Sequence, residues 1–210
     1  MANALMGRSR FKIQRRLGIE LPGLGKAGAL ERRPYPPGQH GMKRKKISEL
    51  AVRWMEKQKL IFHYRLKEKQ LVNYVKKAKK DKSRAWVETL IINLESRLDN
   101  VIFRLGFAPS MAAARQMVTH GHVLIDGKKI SVPGQIVKVG QKISLSEKGY
   151  NSGSFLQAKA KPRINSVPAS LAKETTGNHE VASMIAQPLP EDIPFEFEGQ
   201  LVIEYYWRIK

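Results

Sequence analysis

Helical periodicity dominates the middle of the chain. Apolar residues recur at spacings of three and four through residues 47–75. Ser48, near the start of this stretch, is a candidate helix N-cap. This stretch predicts one long helix or two consecutive ones. A second apolar stripe over residues 87–105 predicts a helix that Ser83 caps and Gly106 ends.

The pattern then changes from helical to alternating. Ser110 and Gly121 are start and stop signals for a short helix between them. Residues 123–130 alternate around Asp126–Gly127, a dipeptide that favours a two-residue hairpin turn. Further alternation over residues 136–145 predicts two more short strands.

The two ends of the chain are less regular. Glycine and proline interrupt residues 1–46, which leave room for a short helix around residues 12–17 and otherwise favour extended structure. Residues 149–166 are polar and typical of a loop, whereas residues 201–206 are typical of a β-strand.

These patterns predict an α+β protein with four segments. The segments are an extended basic arm over residues 1–46, a helical N-terminal domain over 47–96, a module of helices packed on a small antiparallel sheet over 97–148, and a C-terminal segment over 149–210 whose strands pack back on the body. The chain has 210 residues, of which 42% are hydrophobic, which is enough for a packed core.

Charge points to a polyanionic partner. The chain has 38 basic and 18 acidic residues, a formal net charge of +20. Residues 1–84 hold 24 of the basic and 6 of the acidic side chains. Clustered lysine and arginine bind phosphate polymers by releasing counterions. Since neither a zinc-finger spacing nor a ribonucleoprotein-motif aromatic string is present, the sequence favours structured RNA, read by its shape and backbone.

Other chemistry finds little support in the sequence. Gly23–Gly28 has the spacing of a dinucleotide-binding loop but follows no strand, and His120 and His122 have no third metal ligand beside them. There is no cysteine, and no apolar run approaches the ~20 residues of a transmembrane helix. We therefore expect no catalytic site, cofactor, metal, small-molecule substrate or membrane partner. Met1–Gly7 lacks the apolar stretch of a secretory signal, so a cytoplasmic location is expected.

Two segments carry a family resemblance. Residues 97–107 (Arg-Leu-Asp-Asn-Val-Ile-Phe-Arg-Leu-Gly-Phe) and 110–129 (Ser-Met-Ala-Ala-Ala-Arg-Gln-Met-Val-Thr-His-Gly-His-Val-Leu-Ile-Asp-Gly-Lys-Lys) closely resemble the RNA-binding module of the fourth small-subunit ribosomal protein, the S-four family. Pro37–Gly41 and Glu56–Lys59 are similar to its amino-terminal signatures, and Leu201–Tyr206 is similar to its closing strand.

The resemblance implies a structural, non-enzymatic protein of the small ribosomal subunit. It implies early binding to small-subunit rRNA at a multi-helix junction, contact with a neighbouring small-subunit ribosomal protein at an interface that influences decoding accuracy, and a position near the mRNA entry channel. The implied location is the cytoplasmic ribosome, and an organellar ribosome stays open.

We predict RNA-binding residues in both halves of the chain. In the module they are expected to share one face of the helices and hairpin, and they are Ser110, Arg115, Gln116, His120, Lys128 and Lys129. Before the module they are Arg8, Arg10, Arg15, Arg16, Gln39, His40, Lys43, Arg44, Lys45, Lys46, Arg53, Lys57, Lys59 and Arg65.

Some positions depart from the family pattern, and alternatives stay open. Ser110–Ala113 lacks one cation and one acid of the usual sequence, Gln141 replaces a turn aspartate, and Trp207 replaces a serine.

An RNA-modifying or aminoacylating enzyme is an alternative because such enzymes carry the same module, but residues 149–210 are short for a catalytic domain. A free RNA chaperone is another, although such proteins tend to lack the Pro37–Gly41 signature.

Overall fold

The computed structural model describes residues 9–25, 28–43, 46–162, 167–176 and 179–207. The chain divides into two compact units, here called unit 1 and unit 2. Unit 1 comprises the described parts of residues 1–90 and 193–210, and unit 2 comprises those of residues 91–192. Helices together with one antiparallel sheet make an α+β protein, which confirms the predicted fold class.

The described part of unit 1 is helical. Its helices are α1 (Arg10–Leu17), α2 (Ala29–Arg32), α3 (Glu49–His63), α4 (Glu68–Lys80), the first half of α5 (Trp86–Glu95) and α10 (Gly199–Tyr206). The Ser48 hydroxyl accepts a hydrogen bond from the Ala51 amide at 3.3 Å, so α3 begins where its cap predicts. The chain turns at Arg65, whose φ is 51°, and the apolar stripe of residues 47–75 therefore forms two helices.

Part of the predicted extended arm is folded onto unit 1. Ile13 and Leu17 on α1 and Leu21 and Leu24 after it are buried in one cluster with Phe62 of α3. Burying an aliphatic side chain of this size contributes about 1.5–3 kcal/mol, enough to hold a short helix that is marginal alone. The glycines and prolines of residues 1–46 predict extended structure and give no sign that these apolar residues pack together against Phe62.

The predicted closing strand is wrong, because residues 199–206 form helix α10. Val202 and Tyr206, four residues apart, lie on one side of α10 and are buried. α10 packs against α3, and unit 1 offers no strand among its described residues with which an extended segment could pair. Tertiary packing therefore overrides the β-propensity of the sequence.

Unit 2 places helices against a five-stranded antiparallel sheet. Its helices are the second half of α5, α6 (Leu98–Arg104), α7 (Met111–Thr119), α8 (Glu147–Tyr150) and α9 (Gly153–Ala160). Its strands are β1 (Val123–Ile125), β2 (Lys128–Ile130), β3 (Lys142–Leu145), β4 (Leu171–Thr176) and β5 (His179–Met184). The strand order is β2-β1-β3-β5-β4, and every pairing is antiparallel.

The local signals of the module are confirmed. The Ser110 hydroxyl caps α7 by accepting from the Ala113 amide at 3.2 Å. Val123 pairs with Ile130 and Ile125 with Lys128, as the hairpin prediction requires. Asp126 and Gly127 have φ of 49° and 76°, the left-handed values of a tight hairpin turn.

Several predicted elements of unit 2 need correction. The stripe over residues 87–105 breaks between α5 and α6, and α5 begins at Trp86 rather than after Ser83, whose hydroxyl instead donates to Asp81 at 2.7 Å. Residues 136–139 form no strand beyond one isolated bridge from Ile136 to Arg97. α8 and α9 occupy much of the predicted loop over residues 149–166.

Candidate nucleic-acid interface

Unit 2 brings three of the six predicted module residues, Gln116, His120 and Lys129, to the end of α7. Gln116 is exposed on α7 and His120 directly after it. The Lys129 side chain lies against Gly121, where a Cβ would collide with it. Gly121 has a φ of 68°, a left-handed value that favours glycine, and the Lys129 side chain crosses the turn that ends α7 there. Lys128 precedes it in β2 and points to the opposite face, because successive strand residues alternate, so the prediction of one shared face does not hold for Lys128.

Arg115 is a partly exposed cation that forms an ion pair with a buried carboxylate. One guanidinium nitrogen, Nη1, lies 3.4 Å from Oδ2 of Asp99, and 37% of the Arg115 side chain is exposed. The Asp99 side chain is 1% exposed and also accepts two hydrogen bonds from Arg97, at 3.0 and 2.7 Å. A single carboxylate thus neutralises a buried arginine and orients a surface one. Because the Arg115 side chain is partly exposed, a phosphate at the surface can accept hydrogen bonds from its guanidinium.

A buried polar network supports that arrangement. Glu95 accepts from Arg104 Nε at 3.1 Å and from the Asn100 amide at 2.9 Å, and all three side chains are buried. Buried charges are tolerated only when they are paired in this way. The network holds the start of α6, and with it Asp99, in place.

The predicted residues of unit 1 fall into two groups, apart from Arg8, Arg44 and Lys45, which lie outside the described residues. The exposed group can meet a polyanion directly and consists of Arg10, Arg16, Gln39, His40, Lys43 and Lys46. The second group is half-buried or buried and consists of Arg15, Arg53, Lys57, Lys59 and Arg65.

Arg15 and Arg53 already hold other parts of the protein. Arg15 Nε donates to the Tyr35 carbonyl at 2.9 Å, and its guanidinium lies 4.9 Å from the centre of the Tyr35 ring. Arg15 thereby connects the proline-rich loop of residues 34–37 to α1. Arg53 forms ion pairs with Glu204 of α10 at 2.6 Å and with Glu49 at 3.3 Å.

Lys57 and Lys59 are not surface cations, and the expectation that they face RNA needs correction. The Lys57 side chain is 4% exposed, and its ammonium donates to Glu68 at 2.9 Å and to the Tyr205 hydroxyl at 3.2 Å. Lys59 pairs with Glu56 and donates to the Glu196 carbonyl. Both lysines point inward from α3 and hold the C-terminal part of unit 1.

The prediction omitted a set of exposed cations. They lie on or beside α1, α2 and α4 and are Lys12, Arg32, Arg33, Lys67, Lys69, Lys76, Lys77, Lys80, Lys82 and Arg84. The density of like charge over residues 76–84 was the available signal. Asp81 lies among them, and hydrogen bonds from the Ser83 hydroxyl and amide lower the pKa of its carboxyl.

The described residues do not support a dinucleotide-binding loop, a metal site or a membrane-spanning helix. The Glu20 carboxylate accepts from the amides of Gly28 and Leu30, both at 3.2 Å, so an acid stands where the glycine-rich loop would need a phosphate. The rings of His120 and His122 lie 6.1 Å apart, and the described residues contain no cluster of metal-binding side chains. No helix within the described ranges is both long and apolar enough to cross a membrane.

Two family models match the chain. The model of the ribosomal protein S4/S9 N-terminal domain matches residues 7–95, and the model of the S4 domain matches residues 96–143. The first covers the arm and most of unit 1, and the second covers α6, α7 and the first hairpin.

Full-length relatives show the same relationship. The small ribosomal subunit protein uS4B of Bdellovibrio bacteriovorus is 55% identical over 197 residues, which are 94% of each chain. The uS4 protein of Methylobacillus flagellatus is 45% identical over 199 residues, 94% of this chain and 95% of the relative. That of a Cyanothece species is 42% identical over 95% of this chain and 96% of the relative.

Proposed function

The chain belongs to the family of the small ribosomal subunit protein uS4, and we propose that it binds small-subunit rRNA as a structural constituent of that subunit. The family is not enzymatic, so the alternative of an RNA-modifying or aminoacylating enzyme is excluded.

The observation that carries this proposal is the set of exposed cations in unit 1. Lys12, Lys43, Lys76 and Lys77, for example, are exposed and form no ion pair with a described carboxylate. Like charges at this density repel one another unless counter-charge comes from a partner. An rRNA backbone supplies that charge, and releasing its condensed counterions drives binding.

The module contributes a second, more specific contact. Arg115 is oriented by Asp99, and Lys129 crosses the turn after α7. Such fixed donors suit a folded RNA, because A-form helices are recognised by shape and backbone. Family resemblance supports a multi-helix junction as the binding site and an early place in subunit assembly.

Footprinting on naked small-subunit rRNA tests the proposal. The purified full chain is expected to protect several helices that meet at one junction from hydroxyl radicals. A chain with Lys76, Lys77 and Lys80 changed to glutamine should lose affinity while retaining its helical circular dichroism. Protection spread evenly along the rRNA would contradict a specific structural role.

A different surface of unit 1 fits a neighbouring ribosomal protein. Leu50 and Trp207 are 65% and 78% exposed and line one cleft together with Ile203 of α10. Exposed apolar residues grouped in this way are typical of protein contacts. The proposed influence on decoding accuracy, which the family resemblance implies, would act through this contact.

Cross-linking in the assembled subunit tests the protein contact. A Trp207→Cys chain carrying a photoreactive group is expected to cross-link to one ribosomal protein, and a Lys161→Cys chain to others or to none. Cross-links from position 207 to rRNA alone would contradict the proposal. We also propose that the protein belongs to a cytoplasmic ribosome and lies near the mRNA entry channel.

A further inference from the structure

A cleft of about 430 Å³ opens in unit 1 between α1 and α3. Ile13, Leu17 and Phe62 form its floor and are buried in the cluster that holds α1. Trp54 of α3, which is half-buried, also lines it. The interior is therefore apolar and partly aromatic, and its volume lies in the range of small-ligand pockets.

Two cations line the same cleft. Lys12 and Arg16 are four residues apart on α1, so both point to the side that borders the cleft. Both are exposed, and neither pairs with a described carboxylate. The Arg16 guanidinium lies over the Trp54 ring, with its central carbon 5.2 Å from the centre of the ring.

We propose that this cleft takes one unstacked rRNA nucleotide, with its base against Trp54 and Arg16 and its phosphates at Lys12 and Arg16. The inference rests on the proposed rRNA binding and names a subsite within it. Unpaired bases bind by stacking on aromatic rings and guanidinium planes, and their phosphates need cations close by.

The two halves of the cleft exclude simpler ligands. A free phosphate would make no apolar contact with Ile13, Leu17 and Phe62. A purely aliphatic ligand would form no ion pair with the two cations. A nucleotide has a flat base and an anionic backbone a few ångströms apart, and therefore matches both halves.

Tryptophan fluorescence reads the site directly. In a Trp86→Phe, Trp207→Phe chain the remaining tryptophan emission is that of Trp54. A single-stranded adenine octanucleotide is expected to quench it and to bind about 10-fold more tightly than an abasic octanucleotide with the same phosphates. Equal affinity for the two ligands, with no change in Trp54 emission, would overturn the inference.

Affinity for small-subunit rRNA gives a second readout. Trp54→Ala is expected to weaken binding about 10-fold, and Trp54→Phe to restore most of it. Phe11→Ala is the control, since Phe11 is an exposed aromatic residue of α1, the helix that carries Lys12 and Arg16, and does not line the cleft. Circular dichroism verifies that each variant is folded.

The outcomes separate the two claims. Normal rRNA binding by folded Trp54→Ala removes the base subsite and leaves the proposed function standing. A wild-type chain that binds no small-subunit rRNA overturns the proposed function, and the subsite with it.

Discussion

Lys57 and Lys43 have the same charge, but their surroundings give them different roles. Lys57 is enclosed between α3, α4 and α10 with Glu68 as its counter-ion, whereas Lys43 is exposed. A charge removed from water needs a fixed partner and then contributes to folding, while an exposed charge remains available to a polyanion.

Lys57→Ala is expected to lower the free energy of unfolding by about 2 kcal/mol, less than the roughly 3–5 kcal/mol for a fully buried pair, because Glu68 is half-exposed and can be hydrated. Lys43→Ala should change it by less than about 0.5 kcal/mol but weaken rRNA binding. Urea unfolding and filter binding measure the two effects. If folded Lys57→Ala lost as much RNA affinity as Lys43→Ala, the structural role of Lys57 would be wrong.

Arg115→Ala is expected to weaken binding to small-subunit rRNA by about 1–3 kcal/mol, since a fixed guanidinium fork is lost. Arg115→Lys should recover only part of that loss because lysine is a flexible point charge. Lys161→Ala, at an exposed position outside the predicted site, is the control. Unchanged affinity in a folded Arg115→Ala chain would remove Arg115 from the interface.

At the scale of elements, α10 depends on distant partners. Its Glu204 pairs with Arg53, its last carbonyl at Tyr206 accepts from Lys79 at 2.8 Å, and the Tyr206 hydroxyl lies 3.2 Å from Glu68. These contacts join residues more than 120 positions apart. A short helix of this kind is stable only when such contacts form.

Tyr206 makes the docking of α10 sensitive to alkali. Burial, and next the nearby Glu68 carboxylate, raise the pKa of Tyr206 above that of an unfolded tyrosine. The neutral hydroxyl therefore contributes stability below about pH 10, and this contribution is lost as pH rises towards the pKa of the folded state.

Tyr206→Phe should remove that pH dependence. The difference in unfolding free energy between the wild type and Tyr206→Phe is expected to be constant near neutral pH and to shrink above about pH 10. Chemical unfolding at a series of pH values measures it. A difference that stays constant up to pH 12 would show that Tyr206 ionises equally easily in both states.

At the scale of the whole molecule, charge is distributed unevenly along the chain. Residues 1–84 have 24 basic and 6 acidic side chains, and residues 149–210 have 6 and 7. Non-specific attraction to RNA is therefore expected to come mainly from the amino-terminal part.

Binding of the full chain to small-subunit rRNA should depend steeply on salt. If roughly 6–10 phosphates are neutralised, affinity falls about 10³–10⁵-fold between 50 and 200 mM salt. Titrations at several salt concentrations give the slope, and lysozyme, a basic protein unrelated to ribosomes, gives the non-specific reference. A flat dependence would contradict binding through the phosphate backbone.

Prediction from sequence succeeded for most features that depend on neighbouring residues, with the predicted cap at Ser83 as an exception. Ser48, Ser110 and Asp126–Gly127 act within three or four positions, and each forms the cap or turn that its residue type favours. It failed for α8 and α9, whose apolar residues are few and show their burial only in the folded unit.

The candidate interface follows the same division. Exposure of Lys43 and Gln116 agrees with the sequence-based expectation, whereas the burial of Lys57 and the bond from Arg115 to Asp99 could not be read from spacing. The apolar cleft beside α1 was also hidden, because its lining residues come from segments up to 53 positions apart, from Ser9 to Phe62.

The amino-acid sequence by itself determined the helical stretch of residues 47–75, the β1–β2 hairpin, the caps at Ser48 and Ser110, the family and the excess of positive charge. Only the tertiary structure decided which cations lie inside, that residues 199–206 are a helix, and that Trp54 borders a cation-lined cleft. The physical reason is range: caps, turns and periodicity are set by covalent neighbours, whereas burial and ion pairing depend on packing partners such as Arg53 and Glu204, 151 positions apart.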